Sequence, residues 1–187
     1  ALHARSSEPT WPSMCPGQDC HHRHVMVKGD VYRVVTDQCW SAPRRIEDMA
    51  AMGVTRQVLS PMPELLSYWL PLDDGKALIR YLNEQIAEMV ALAPQRFAGL
   101  GAVPLQDVDS AILELQYIKN TLHFPGVEIA SHVNGVSIGD ARFEHRRAFT
   151  RCTCLGVGTR RGFAGTQAGL LEIGQPARRI LARRCRP

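Results

Sequence analysis

Apolar residues recur along this chain at two spacings, one of period two and one near 3.6, and the two alternate over its middle part. The run VMVKGDVYRVV sets β-branched segments on either side of Lys28-Gly29-Asp30, which predicts a hairpin. SAPRRIEDMAAMG then shifts to helical spacing. Pro43 suits a first turn, Ile46, Met49 and Ala50 share a face, and Gly53 ends the segment. TRQVLSP predicts a buried strand stopping at Ser60-Pro61. The polar and aromatic loop MPELLSYWLPLDD leads to a long helix from near Gly75. Its apolar face is Leu78, Leu82, Ile86, Met89 and Val90, and Pro94 closes it. RFAGLGAVPL is the next strand. DVDSAILELQYIKNTL is a helix with Asp107 as its cap and Ile112, Leu115 and Ile118 turned inward, and GVEIASHV is a third strand.

Strands separated by helix-length connections must cross over, and crossovers make parallel neighbours. The pattern therefore predicts an α/β fold with a parallel sheet. Residues 1–24, rich in Pro, Ser, His and Cys and without a period, read as loop. Beyond Glu144 the alternation stops, and residues 145–187 carry scattered glycines, clustered arginines and one short apolar run.

Charge sharpens that division. The net charge is +4, yet residues 145–187 hold ten arginines, no lysine and a single acid, Glu172, while the rest of the chain is net acidic. The expected domains are a loop-like segment 1–24, a folded part 25–144, and a poorly ordered Arg-rich tail 145–187. No stretch of about 18 apolar residues predicts a membrane span. The six cysteines lack the spacing of a disulfide framework, which fits free thiols and a cytoplasmic location.

Chemistry suggests itself first at MCPGQDCHHRH, residues 14–24, where two cysteines and three histidines offer soft and borderline metal ligands. Ser60 lacks a nucleophile-elbow context, and GLGAVP has too few glycines for a dinucleotide loop.

DVYRVVTDQCW, RRIEDMAAMGVTRQVLSPMP, SYW, PQRFAGLGAVPLQD and GVEIASHVNG occur in order over about residues 25–144. Together they resemble the amidohydrolase-related family, in its branch of aminocarboxymuconate-semialdehyde decarboxylase and related aromatic-acid decarboxylases. The resemblance implies a (β/α)8 TIM barrel of metal-dependent hydrolase type, of which this chain would supply about three βα units. A whole barrel needs about 250 residues. It also implies zinc or another divalent metal, held by a His-x-His pair on the first strand, a histidine in a V-H-P context and an aspartate in a T-D-Y context. The first-strand pair would lie before Ala1 and the other two elements beyond Glu144, so none of the three is expected at its family position here, and the expected number of metal ligands is none.

The implied reaction is a carbon–carbon lyase step that removes carbon dioxide from a small unsaturated or aromatic carboxylic acid. Lactone or amide hydrolysis on the same barrel is the alternative, and an inactive partial fold is another. The expectation is thus a fragment of a decarboxylase whose tail comes from a shifted reading frame. A basic tail that binds nucleic acid is the less favoured account. Whole members of the family are expected to be homodimers.

Within the resemblance, Arg33 matches an arginine that grips the substrate carboxylate, a task suited to the planar guanidinium fork. His132 matches a histidine near a strand end, fitted to proton transfer or substrate binding, with Asn134 beside it in the same loop. Met62, Tyr68 and Trp69 would wall an aromatic substrate or simply pack. Cys39 and Trp40 read as packing, and Glu47 and Asp48 as a solvated helix face. In this frame MCPGQDCHHRH becomes the rim of the site rather than the site, with His22 or His24 near the substrate.

Overall fold

The computed structural model describes residues 11–27 and 29–140 of the 187-residue chain. The Arg-rich segment 145–187 and Lys28 lie outside the described residues. Three sheets form in chain order: an antiparallel sheet, a parallel sheet with its helices, and a short terminal hairpin.

The antiparallel sheet has β1 (Ser13–Pro16), β2 (His22–Val27) and β3 (Asp30–Thr36) in that spatial order. The expected hairpin is its β2–β3 half, turning at Gly29, whose φ of 88° suits a residue without a Cβ. Residues 1–24 were expected as loop, but β1 and the start of β2 fall there. Trp11 is also buried, packed with Leu70 and Leu78. Periodicity misses β1 because Ser13, Met14, Cys15 and Pro16 are all exposed, so no buried face imposes an alternation.

Next comes α1 (Ala42–Ala51), opened by Ser41, whose hydroxyl accepts from the Arg44 amide, with Pro43 in the first turn. Met49 is fully buried and Ile46 packs beside the core, whereas Ala50, expected on the same face, is exposed. An alanine offers too little apolar area to decide which way a helix turns.

The parallel sheet is β4 (Gln57–Leu59), β5 (Phe97–Gly101) and β6 (Gly126–Val127), with β5 central. Its crossovers are α2 (Leu72–Leu92) and α3 (Val108–Asn120), as the alternation required. This is the α/β arrangement of a partial barrel. The expected strand GVEIASHV divides: Gly126–Val127 joins β5, while β7 (His132–Val133) pairs with β8 (Val136–Ser137) in a separate hairpin. No helix among the described residues is long and apolar enough to cross a membrane.

Phe97, Ile79, Val103, Leu105, Ile118 and Val127 fill the core between sheet and helices. Asp107 caps α3 by accepting from the Ser110 amide at 2.8 Å, as expected. Ile112, expected to face inward, is exposed, and the inner face of α3 is instead Ala111, Glu114 and Ile118. Glu114 is inside because Arg80 of α2 pairs with it (Nη2 to Oε2, 2.7 Å) and Asn83 donates to it at 2.8 Å. An acid with two such partners can be buried where a helical wheel of apolar residues would not place it.

The glycines of GLGAVP serve packing. A Cβ at Gly99 would stand 2.6 Å from the Phe124 ring, and one at Gly101 2.6 Å from Ile118 Cδ1. Past the end of β5, buried Asn83 donates to the Ala102 carbonyl at 3.0 Å and accepts from its amide at 2.8 Å. The side chain thereby stands in for a neighbouring strand and fixes where β5 gives way to the loop.

Candidate functional site

The C-terminal ends of β4, β5 and β6 lie side by side, so the loops that leave them converge. In parallel barrels this is the end where chemistry gathers. Three groups reach it from three elements.

The first is Arg33. On β3 it stands opposite Val25, and both Val25 and Val35 are buried, whereas Tyr32 and Val34 are exposed. Period-two alternation therefore puts Arg33 on the inner face of the hairpin. Its side chain is 35% exposed and its Nε lies 3.0 Å from Oε1 of Glu64. Glu64 sits in a single 3₁₀ turn, Pro63–Leu65, just after β4, and its side chain is 6% exposed. A carboxylate that has lost its water in this way keeps its charge only with a cation against it.

The third group is Glu128. Its amide donates to the Gly101 carbonyl at 2.7 Å, which extends the β5–β6 ladder by one bond. Its side chain is buried, and Oε2 has no hydrogen-bond partner among the described residues. Burial raises its pKa above the ordinary value; a hydrogen bond with Ser60 opposes that rise, and the charge of Glu64 adds to it. The cluster thus holds one acid beside the Arg33 guanidinium and another biased toward its neutral form.

The loop of residues 60–70 carries Met62, Tyr68 and Trp69, expected to wall a substrate or simply to pack. Met62 is half-buried, Trp69 is 42% exposed, and Tyr68 is buried. Ser67, fully buried, adopts φ 50°, a left-handed conformation that a non-glycine residue rarely takes. Asn134 is brought to this loop, donating its side-chain amide to the Tyr68 carbonyl at 3.0 Å. Asn134 and Gly135 also form the β7–β8 turn with φ of 48° and 82°, between the paired Val133 and Val136. Asn-Gly is the preferred dipeptide for such a two-residue turn. Asn134 thus has a turn and a tether to account for it.

His132 is exposed, with Nδ1 3.0 Å from the hydroxyl of its neighbour Ser131. Among the described residues no hydrogen bond or ion pair joins Arg33 and His132.

The histidine-rich segment is arranged differently from a rim. His22 and His24 occupy the face of β2 opposite to Val25, so they point away from the side that carries Arg33. With Gln18 and Val34 they line a shallow groove of about 280 Å³. Two of the histidines face aspartates: His21 Nδ1 lies 2.7 Å from Asp37, and His22 Nδ1 2.7 Å from Asp19. The His22 and His21 hydrogen bonds lower the Asp19 pKa, and the His21 bond leads in lowering that of Asp37. Among the described residues no three His, Cys, Asp or Glu side chains stand close enough to hold a metal ion. The described residues do not make up a metal site of that kind.

Cys39 is exposed rather than packed, as are Cys15 and Cys20, and all three are free thiols. Trp40 is 39% exposed and carries the Arg23 guanidinium over its ring at 5.5 Å. Glu47 is exposed and pairs with Arg44, as a solvated helix face would have it.

Glu64 and Glu128 escape a search for motifs, since neither has a telling neighbour. The available signal is an acid inside an otherwise apolar run, GVEIA, where burial must be compensated.

Residues 19–157 match the sequence profile of the amidohydrolase family. The chain is 36% identical over 130 residues to the 2-amino-3-carboxymuconate-6-semialdehyde decarboxylase of Dictyostelium discoideum, covering 70% of this chain and 36% of that protein. It is 34% identical over 93 residues to a gamma-resorcylate decarboxylase of Rhizobium radiobacter, covering 50% and 27%. Among solved structures it resembles the 5-carboxyvanillate decarboxylase of Novosphingobium aromaticivorans with a TM-score of 0.56 and 28% identity, over 60% of this chain and 32% of that one. That structure is a complex with manganese and 4-hydroxy-3-methoxy-5-nitrobenzoic acid. The chain spans about a third of the length of the Dictyostelium relative.

Proposed function

Since the chain belongs to the amidohydrolase family, we propose that it is part of a metal-dependent decarboxylase acting on a small unsaturated or aromatic carboxylic acid. The observation that carries this is the placement of Arg33: on the inner face of its hairpin, half-exposed, and paired with a buried carboxylate beside the parallel strand ends. An arginine held there is fitted to receive a second carboxylate, that of the substrate. Two groups of relatives are decarboxylases of carboxylated, unsaturated or aromatic acids, which supports the same substrate class.

In this proposal Met62 and Trp69 supply apolar surface against the substrate ring or diene, and Asn134 holds the loop that carries them. His132, with Nδ1 turned to Ser131, is the residue we assign to proton handling. The metal is zinc or, as in the solved relative, manganese. Its ligands are not among the described residues, so no step is derived through it. Free thiols at Cys15, Cys20 and Cys39 support a reducing, cytoplasmic setting.

The test is carbon dioxide release from a panel of hydroxybenzoic and dienoic acids by the manganese- or zinc-supplemented whole protein of which this chain is a part, beside its Arg33→Lys and His132→Gln variants. Decarboxylation that falls at least about tenfold in Arg33→Lys is expected, because a lysine cannot pair bidentately. Lactone hydrolysis without carbon dioxide release, or full activity in Arg33→Lys, overturns the proposal.

A further inference from the structure

His22 and His24 are separated by one residue on β2, and alternation puts both on the face opposite to Val25. They line one groove with Gln18 and Val34, on the antiparallel sheet rather than at the parallel strand ends. Their neighbours leave them room. Gly17, whose amide donates to the His22 carbonyl at 3.0 Å, sets no side chain beside His22; a Cβ there would stand 2.7 Å from His22 Cβ. Opposite His24 stand the short side chains of Cys15 and Val34.

The two rings are held differently. His22 Nδ1 lies 2.7 Å from Oδ1 of Asp19, and the same oxygen accepts from the His21 amide at 2.8 Å. With the proton on Nδ1, facing the carboxylate, the lone pair of the neutral His22 ring is on Nε2. Ligating histidines are commonly oriented in this way, by a carboxylate on the nitrogen that the metal does not use. Among the described residues the His24 ring has no hydrogen-bond or ion-pair partner, so its nitrogens are available.

We propose that His22 and His24 form a two-histidine chelate for a late first-row divalent cation of the nickel(II) and copper(II) class, with Gln18 offering an amide oxygen and water filling the remaining positions.

Histidines at alternate positions of a strand are roughly 7 Å apart at Cα. Two imidazole arms rising from that base can meet one ion at bond lengths of about 2 Å. Zinc asks for more, since its protein sites use three or four residues, and no three His, Cys, Asp or Glu side chains converge among the described residues. Nickel(II) and copper(II) bind imidazole more tightly than the earlier divalent ions of the row. They also accept tetragonal sites in which oxygen completes the shell. Pairing the rings matters because the second bond forms on an ion already held by the first. His21, the neighbour in sequence, serves as the internal control: its Nδ1 faces Asp37 at 2.7 Å, and it does not line the groove.

The test titrates the full chain with nickel(II) chloride, chosen because the exposed thiols of Cys15, Cys20 and Cys39 do not reduce it. Calorimetry reads the affinity, and NMR reads which histidine ring protons the paramagnetic ion broadens. Wild type is compared with His22→Ala, His24→Ala, Asp19→Asn, His21→Ala and Cys15→Ser, each checked for an unchanged far-ultraviolet spectrum.

The expected result is broadening of the His22 and His24 rings ahead of every other histidine. His22→Ala and His24→Ala each weaken binding at least about tenfold, because one ring alone is no chelate. Asp19→Asn weakens it about tenfold through the lost orienting charge. His21→Ala and Cys15→Ser stay within about threefold of wild type, well under the tenfold step. Binding that survives in both His22→Ala and His24→Ala, or that falls as far in His21→Ala, overturns the chelate. A loss in Cys15→Ser equal to that in His24→Ala overturns the two-histidine assignment in favour of a thiolate site. Unchanged affinity in Asp19→Asn overturns the orienting role of that carboxylate.

Discussion

The side-chain amide of Asn134 donates to the carbonyl of Tyr68 across 66 residues of sequence, and this one bond joins the β7–β8 turn to the loop that follows β4. The same residue supplies the left-handed backbone that the turn requires, so its two roles can be separated by substitution. Asn134→Gly keeps the turn and loses the tether, and should cost about 1 kcal/mol. Asn134→Ala loses both and should cost about 2 kcal/mol, because alanine is strained at positive φ. Urea unfolding of the two variants measures the difference, and equal losses would show that the tether, not the turn, sets the cost.

Asn83 carries a larger share of stability. It is fully buried and satisfies both backbone groups of Ala102 as well as Glu114. Asn83→Leu is of similar size but leaves a buried amide, a carbonyl and a carboxylate oxygen without that partner. A loss of about 3 kcal/mol or more is expected in denaturant unfolding. A loss under about 1 kcal/mol would mean that water takes over these bonds.

At Gly101 the prediction concerns a pair. Gly101→Ala alone should destabilise by about 1–3 kcal/mol, since its Cβ would meet Ile118 Cδ1 at 2.6 Å. Ile118→Val removes that Cδ1. The double variant should therefore be more stable than the sum of the two single losses predicts, and a double-mutant cycle reads the coupling. Strict additivity would place the strain elsewhere.

Glu128 gives a pH dependence with a definite sign. Its pKa is raised above 4.5, first by burial, with the Ser60 hydrogen bond opposing and the Glu64 charge reinforcing the rise. Between the ordinary and the raised value the folded chain binds more protons than the unfolded one. Its contribution is therefore full below 4.5 and is lost as pH rises through the folded value. Glu128→Gln carries no titrating group, so its unfolding midpoint should stay flatter than that of wild type across this window. Parallel curves would show that Glu128 is ionised in the folded chain.

The alternation of strands and helices was legible because parallel strands and their crossovers bury long apolar stretches. TRQVLSP, RFAGLGAVPL and both long helices fell where their periods put them. What was illegible had weak or compensated burial. β1 has no buried residue at all, and Glu114 lies inside α3 only because Arg80 and Asn83 wait for it on another helix. Asn134-Gly135 was a visible turn signal, hidden inside a run that also read as one continuous strand. Of the candidate site, Arg33 was singled out by the motif around it, and only the folded hairpin shows it on the face of Val25 and Val35. Its partner was not, because Glu64 gains its meaning from a hairpin 31 positions away in sequence.

The order β4-β5-β6 has a consequence in time rather than in space. Within this sheet, among the described residues, β5 has a strand on each side, while β4 and β6 each pair on one side alone. Amide protons should therefore leave the sheet from its margins first. Those of β5, held additionally at Ala102 by Asn83, should be the last to exchange and should report the global opening of the sheet. Exchange at β5 is thus a clock for the whole unit, and its neighbours record only how often an edge lets go.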